Sequence, residues 1–169
     1  MTIGHQVTGN GPTHLFILHG WLSDHTVYDT IMPWFDPDKY TIARMDYRGY
    51  GLSRDMEGDY SIEEIANDAL ALADQLGWDK FHMLGHSMGG MVIQKMALKA
   101  PDRLQSAIAA TPVPASGFDM DSDTRGFFQS SADDDTALTE IFNILTGQRH
   151  ATSFLQGLTA AARQSTTRA

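Results

Sequence analysis

Three observations predict an α/β fold with a mostly parallel sheet and helices on both faces. Short apolar runs alternate with helical periodicities through the first 114 residues. A capping box opens the strongest of those helices. Glycine-containing turns follow the carboxyl ends of the apolar runs, where the working groups of such sheets collect.

The elements follow in chain order. His14-Leu15-Phe16-Ile17-Leu18 is a buried strand ending at His19-Gly20. Residues 25–35 are expected to form a short helix, with Pro33 and Pro37 near its end. Tyr40 to Met45 is the next strand, closed by the turn Asp46-Tyr47-Arg48-Gly49-Tyr50-Gly51. Ser61-Ile62-Glu63-Glu64 is the capping box, in which the serine oxygen accepts a free N–H and the glutamate reaches back. Ile62, Ile65, Ala66, Ala69, Ala73 and Leu76 follow at helical spacing, and Gly77 suits a left-handed cap. Lys80 to Leu84 is a third strand, Met88 to Ala100 a second helix stopped by Pro101, and Leu104 to Ala110 a fourth strand. Residues 1–114 therefore read as a sheet core. Composition then changes: residues 115–135 are rich in Ser, Gly and Asp, with Asp119 to Asp123 read as a solvated acidic loop and Asp133 to Asp135 as a surface turn or helix start, and Ala137 to Leu145 and Ala151 to Ala162 read as helices. Residues 115–169 are expected to form a helical cap or lid segment.

Composition narrows the function. The 169 residues carry 12 Lys and Arg against 21 Asp and Glu, a net charge of −9. An acidic chain is a poor partner for phosphate backbones, so no nucleic-acid role is expected. There is no cysteine, which excludes disulfides, Cys-ligated metals and a Cys nucleophile. No apolar stretch approaches the roughly 18 residues of a membrane span, and Met1 to Gln6 shows no signal-peptide pattern. The expected compartment is the cytoplasm, with no membrane partner.

The chemistry concentrates at Gly85-His86-Ser87-Met88-Gly89-Gly90, a G-x-S-x-G pattern between a predicted strand and a predicted helix. A strand that reverses into a helix over one residue leaves Ser87 strained and its hydroxyl exposed. Side chains two positions either side would collide with the crossing elements, hence Gly85 and Gly89. The helix N-terminus offers free N–H groups to developing negative charge. The alternative is a glycine-rich turn whose serine only caps the helix. His19-Gly20-Trp21 follows the first strand, and its loop is expected beside Ser87, where the backbone N–H groups of Trp21 and Met88 would hold an oxyanion.

Together, His19-Gly20-Trp21, Asp46-Tyr47-Arg48-Gly49-Tyr50-Gly51-Leu52-Ser53 and Gly85-His86-Ser87-Met88-Gly89-Gly90 stand in the order and approximate spacing of the α/β-hydrolase fold family. The chain resembles its serine carboxylesterase branch with a cap domain, over residues 1–114 closely and over the remainder loosely. The resemblance implies Ser87 as nucleophile, Trp21 and Met88 as oxyanion donors and a small-molecule ester as substrate, with no cofactor and no metal. It assigns residues 46–53 a structural part. Relatives that displace halide or open epoxides differ at this point in carrying an Asp nucleophile.

An acyl-transfer serine needs a histidine base oriented by an acid, in this fold following the serine in the chain. After Ser87 the only histidine is His150, in a polar stretch of the cap; His86 is locked beside Ser87, and His19 is better suited to orienting the loop. The acid–base half is therefore expected outside this chain, with two further strands and their helices, about 60–100 residues at ~30 per βαβ unit. A second polypeptide, a cleaved C-terminal fragment or a neighbouring copy would supply it and cover the fourth strand's open edge. The competing reading is a non-catalytic, receptor-like module that binds a small molecule. Asp119 to Asp123 fails as a calcium loop, with Thr124 and Ser130 where Gly and Glu belong. The methionines Met83, Met88, Met91 and Met96 read as core and pocket lining, and Trp21, Met88, Phe118, Phe127, Phe128, Phe142 and Phe154 are candidates for an apolar acyl pocket.

Overall fold

The computed structural model describes residues 2–167. Five strands, β1 (His5–Thr8), β2 (Thr13–Leu18), β3 (Tyr40–Met45), β4 (Phe81–His86) and β5 (Leu104–Ala110), form one sheet in the order β1-β3-β2-β4-β5. β2, β3, β4 and β5 run parallel, and β1 joins β3 antiparallel. β2 lies at the centre, so its carboxyl end faces that of β4, which aligns Leu18 with Gly85. That register brings the His19 turn and the Ser87 turn to one end of the sheet.

Alternation along β2 divides the core. Phe16 and Leu18 face α1 (Ile62–Gln75) and α2 (Met88–Lys99), with Ala43, Met45, Ala69, Leu72, Phe81, Met83, Val92 and Met96. Leu15 and Ile17 face the other way, with Ile42, against Tyr28, Met32 and Phe35. The expected helix over 25–35 is instead two single 3-10 turns, His25–Tyr28 and Met32–Trp34. Pro33 sits in the second turn, where it lacks an N–H to continue a helical ladder.

Ser61 caps α1 by accepting from Glu64 N–H at 3.1 Å. The reciprocal half of the box is shifted: the Glu64 carboxylate accepts from Asp59 N–H and Tyr60 N–H, at 3.1 and 2.9 Å. Gly77, at φ 71°, ends the helix, and Trp78 N–H returns to Ala73 O at 2.8 Å.

Beyond β5 the chain forms α3 (Ser122–Ser130), α4 (Asp135–Leu145) and α5 (Thr152–Ser165). Part of the Ser-, Gly- and Asp-rich span, Ser122–Ser130, is therefore helix. Asp121 supplies the cap by accepting from Thr124 N–H at 2.7 Å. Leu138, Ile141, Leu155 and Ala162 are buried between these helices. The end of α5 returns to the sheet core: Arg54 donates to Gln164 O at 2.9 Å and Thr167 N–H to Gly49 O at 2.9 Å. Among the described residues no helix is long and apolar enough to cross a membrane.

β5 is the edge strand opposite β1. Five of its seven residues, from Gln105 to Ala109, are exposed, with Ile108 at 61%. Its side away from β4 pairs with no strand among the described residues.

Candidate active site

Ser87 joins β4 to α2 with φ 52° and ψ −115°, a sparsely populated region that costs a non-glycine residue about 1–3 kcal/mol. The surrounding backbone holds it there. Ser87 N–H donates to Ala110 O at 3.0 Å, and its carbonyl accepts from Gly90 N–H at 3.0 Å and Val113 N–H at 3.1 Å. The end of β5 and the exit toward the cap thus clamp the turn.

The glycines leave no room for alternatives. A Cβ on Gly85 would lie 2.3 Å from Gly89 O, and one on Gly89 2.5 Å from Leu18 O. One on Gly90 would lie 2.7 Å from Pro112 Cβ.

The His19 turn lies against Ser87. A Cβ on Gly20 would sit 3.4 Å from Ser87 Cβ and 3.1 Å from His86 Nδ1, so the Gly20–Trp21 peptide borders the serine side chain. The backbone N–H groups of Trp21 and Met88 donate to no acceptor among the described residues. The Met88 amide is one of the free donors at the N-terminus of α2. The Ser87 hydroxyl likewise has no hydrogen-bond partner among the described residues.

A cavity of about 450 Å³ opens next to this turn, between core and cap. Trp21, Met88, Tyr50 and Phe128 line it together with Arg125 and Arg163, and the Trp21 and Phe128 rings are 5.8 Å apart. Ser87 borders the cavity through its neighbours and is not itself in the lining. Of the candidate aromatic residues, Phe128 lines this cavity, Phe127 a separate crevice in the cap, and Phe118 and Phe154 are exposed. His150 is exposed, its ring 4.6 Å from that of Phe154.

Beneath the site lies a polar cluster that sequence reasoning did not resolve. Asp46 is fully buried and accepts from His25 N–H at 2.7 Å, His25 Nδ1 at 2.6 Å and Leu52 N–H at 2.8 Å. It fastens the loops after β2 and β3 to each other. Gly51, at φ 45°, is obligatory beside it, since a Cβ there would lie 2.2 Å from Asp46 Oδ2. The readable signal was the aspartate at a strand end before a glycine-rich turn; nothing in the sequence marks His25 as its partner.

His19 is also fully buried, stacked on Tyr47 at 4.0 Å, with Nδ1 2.8 Å from Gly20 O. Burial pushes its imidazole down to about 4, against the Gly20 bond and Asp46, which pull it up. It is neutral at physiological pH.

A strand-to-helix serine turn on a mostly parallel sheet defines a class, and comparison with known proteins agrees. Residues 13–156 match the family model of the α/β hydrolase fold, and the chain belongs to that family. It is 34% identical over 119 residues to a fluoroacetate dehalogenase from a Burkholderia species, covering 68% of this chain and 38% of that protein. It is 32% identical over 109 residues to the pimeloyl-[acyl-carrier protein] methyl ester esterase of Nitrosomonas europaea, covering 64% of this chain and 40% of the esterase. The chain thus spans about two fifths of the length of these curated relatives. Among solved structures, an esterase from Exiguobacterium antarcticum superposes with a TM-score of 0.81 at 20% identity, over 98% of this chain and 65% of the esterase. A hydrolase from Oleispira antarctica superposes with a TM-score of 0.83 at 17% identity, over 98% and 65%.

Proposed function

We propose that the protein hydrolyses carboxylic esters through an acyl-enzyme on Ser87. The observation that carries this reading is the strained serine at the end of β4, with the Gly20–Trp21 peptide against its side chain. The two curated relatives compared above are a dehalogenase and an esterase. The residue at the turn favours the second, because an aliphatic hydroxyl forms acyl esters, whereas halide displacement in this fold goes with a carboxylate nucleophile.

A base takes the proton from Ser87 Oγ, which attacks the ester carbonyl carbon. The carbonyl oxygen becomes an oxyanion that accepts from the N–H groups of Trp21 and Met88, at the positive end of α2. Collapse expels the alcohol, which leaves with the base's proton, and water then releases the acid and restores Ser87. Trp21, Met88 and Phe128 would hold the apolar part of the substrate. The base and its orienting acid come, in this reading, from polypeptide outside residues 1–169 that also pairs with β5.

Turnover of a p-nitrophenyl ester series by the full-length protein tests the reading. Ser87→Ala should remove essentially all of it, roughly 10⁴-fold or more, because the members of such a triad act as a unit. Turnover unchanged in Ser87→Ala would overturn it. One observation favours the second reading, a ligand-binding module without chemistry: the Ser87 hydroxyl meets neither a histidine nor a carboxylate among the described residues. Binding of esters without turnover by the full-length protein is the result that reading expects.

A further inference from the structure

We infer that Arg125 is a specificity-determining residue and that the cavity between core and cap takes esters carrying a carboxylate at the end of an apolar chain. The inference rests on the hydrolase reading above and deepens it by naming the class of substrate.

Three guanidinium groups line the cavity, those of Arg48, Arg125 and Arg163, against two carboxylates, Glu64 and Asp68. Two of the three cations are spent within the fold. Arg48 donates to both oxygens of Asp68, at 2.9 and 3.0 Å, and to Glu57 O at 3.0 Å. Arg163 donates to Asp135 at 2.8 Å and to the carbonyls of Ser131 and Ala132, each at 2.7 Å, which ties α5 to the end of α3. The carboxylates are spent as well, since Glu64 accepts from Asp59 N–H and Tyr60 N–H and lies 3.6 Å from Arg48 Nε. The Arg125 guanidinium forms no hydrogen bond or ion pair with any described residue. The acids near it on α3 are turned to other work: Asp121 accepts from Thr124 N–H at 2.7 Å, and Asp123 lines the separate crevice in the cap.

Position gives this free cation a use. Arg125, Phe128 and Gln129 are spaced three and four apart on α3 and all line the cavity, so Arg125 stands on the same helix face as Phe128, one turn away. The Phe128 ring is 5.8 Å from that of Trp21, whose peptide borders the Ser87 side chain. The two rings thus link the serine turn to the cation. A substrate that matches this wall has an ester, then an apolar chain, then an anion. A carboxylate suits a guanidinium best, because two parallel N–H donors meet its two oxygens. The chain as a whole carries a net charge of −9 and repels anions, so an anion gains only where the lining holds an excess of positive charge. Three cations against two carboxylates make this cavity such a place. An uncharged chain end gains nothing from Arg125 and has to strip water from it.

Two pairs of esters that differ only at the chain end test the inference in the full-length protein. p-Nitrophenyl hydrogen adipate is matched by p-nitrophenyl 6-methylheptanoate, in which two methyl groups replace the carboxylate oxygens. 5-Acetoxypentanoate and 5-methylhexyl acetate make the same comparison with the carboxylate in the alcohol half. In one pair or both, kcat/KM should favour the anionic ester by roughly 10–100-fold, the contribution of one charge-assisted hydrogen-bonded pair, and chiefly through KM. Arg125→Gln keeps a good helix former at an exposed position and should erase the preference, whereas Arg125→Lys keeps the charge and should retain part of it. Raising the salt concentration should shrink the preference of the unmodified enzyme. No preference for the anionic member of either pair, or a preference that survives in Arg125→Gln, would overturn the role. If no ester were turned over, the hydrolase reading would fall by itself, and calorimetric titration with monomethyl adipate would still decide the site. Weaker binding to Arg125→Gln than to the unmodified protein supports it; no binding, or equal binding to the two, overturns it.

Discussion

Gly89 has room for a hydrogen and nothing larger, because the last carbonyls of β2 press against the first turn of α2. A methyl there would meet Leu18 O at 2.5 Å and His19 O at 2.8 Å, both backbone atoms that cannot rotate away. Gly89→Ala should therefore destabilise the protein by about 1–3 kcal/mol, as overpacking does, read as a fall in the urea midpoint at unchanged slope. The displaced atoms begin the His19-Gly20-Trp21 turn, so activity should fall further than stability alone accounts for. This much was readable in advance: glycines at minus two and plus two around a serine, between a strand and a helix, imply a crossing too close for side chains. The partners of the buried polar groups were not readable, because Asp46 and His25 meet only through tertiary structure, 21 positions apart.

His19 also makes a prediction about acid. Its imidazole sits at about 4 in the folded protein against an ordinary 6.5, with burial the largest cause. As pH falls through 6.5 the unfolded chain takes up a proton that the folded protein refuses, so stability is lost on acidification. The loss begins near pH 6.5 and is complete near pH 4, and it amounts to about 3 kcal/mol at about 1.4 kcal/mol per pH unit. Chemical denaturation across that window should show the slope, and His19→Asn should flatten it. An equal slope in the variant would show that His19 is not its source.

At the scale of elements, what the sequence hid has physical reasons. β1 is short and largely exposed, His5-Gln6-Val7-Thr8, so it lacks the apolar run that reveals a buried strand. Residues 25–35 carry apolar side chains at helical spacing, yet Pro33 interrupts the ladder and Tyr28, Met32 and Phe35 are spent on covering one face of β2 and β3. α3 was obscured by its own first turns, where Ser122, Asp123, Thr124 and Gly126 are poor helix formers held by the Asp121 cap and by packing against α4. By contrast, the sheet strands β2, β3 and β4 and the helices α1 and α2 announced themselves, since each buries a face whose period survives in the residues. The cap helices carry a matching prediction. A Cβ on Gly126 in α3 or Gly157 in α5 would meet nothing within 4 Å, and neither residue has a positive φ. Gly126→Ala and Gly157→Ala should each stabilise the cap by roughly 0.5–1 kcal/mol, from reduced backbone entropy in the unfolded chain. Amide exchange in α3 and α5 should slow accordingly; faster exchange would show that the glycines serve close packing after all.

At the scale of the whole molecule, β5 is the edge strand opposite β1, and five of its seven residues are exposed. Among the described residues its outer edge pairs with no strand, beside an Ile108 that is 61% exposed, and such an edge is a template for pairing. The same substitution should therefore act with opposite sign in two settings. In the 169-residue chain, Ile108→Lys places a charge on an exposed edge, where a surface change costs within about 0.5 kcal/mol. Sedimentation velocity at micromolar to millimolar protein should find concentration-dependent self-association in the unmodified chain and less of it in Ile108→Lys. In a longer polypeptide whose further strands cover β5, the lysine would have to be buried, and the penalty becomes about 2 kcal/mol or more. There Ile108→Lys should lower the unfolding midpoint and, because Ala110 O holds Ser87 N–H at 3.0 Å, disturb the serine turn with it. A monomeric 169-residue chain at every concentration, together with a longer protein indifferent to the lysine, would mean that solvent alone covers this edge. The base for Ser87 would then have to come from elsewhere than a strand beside β5.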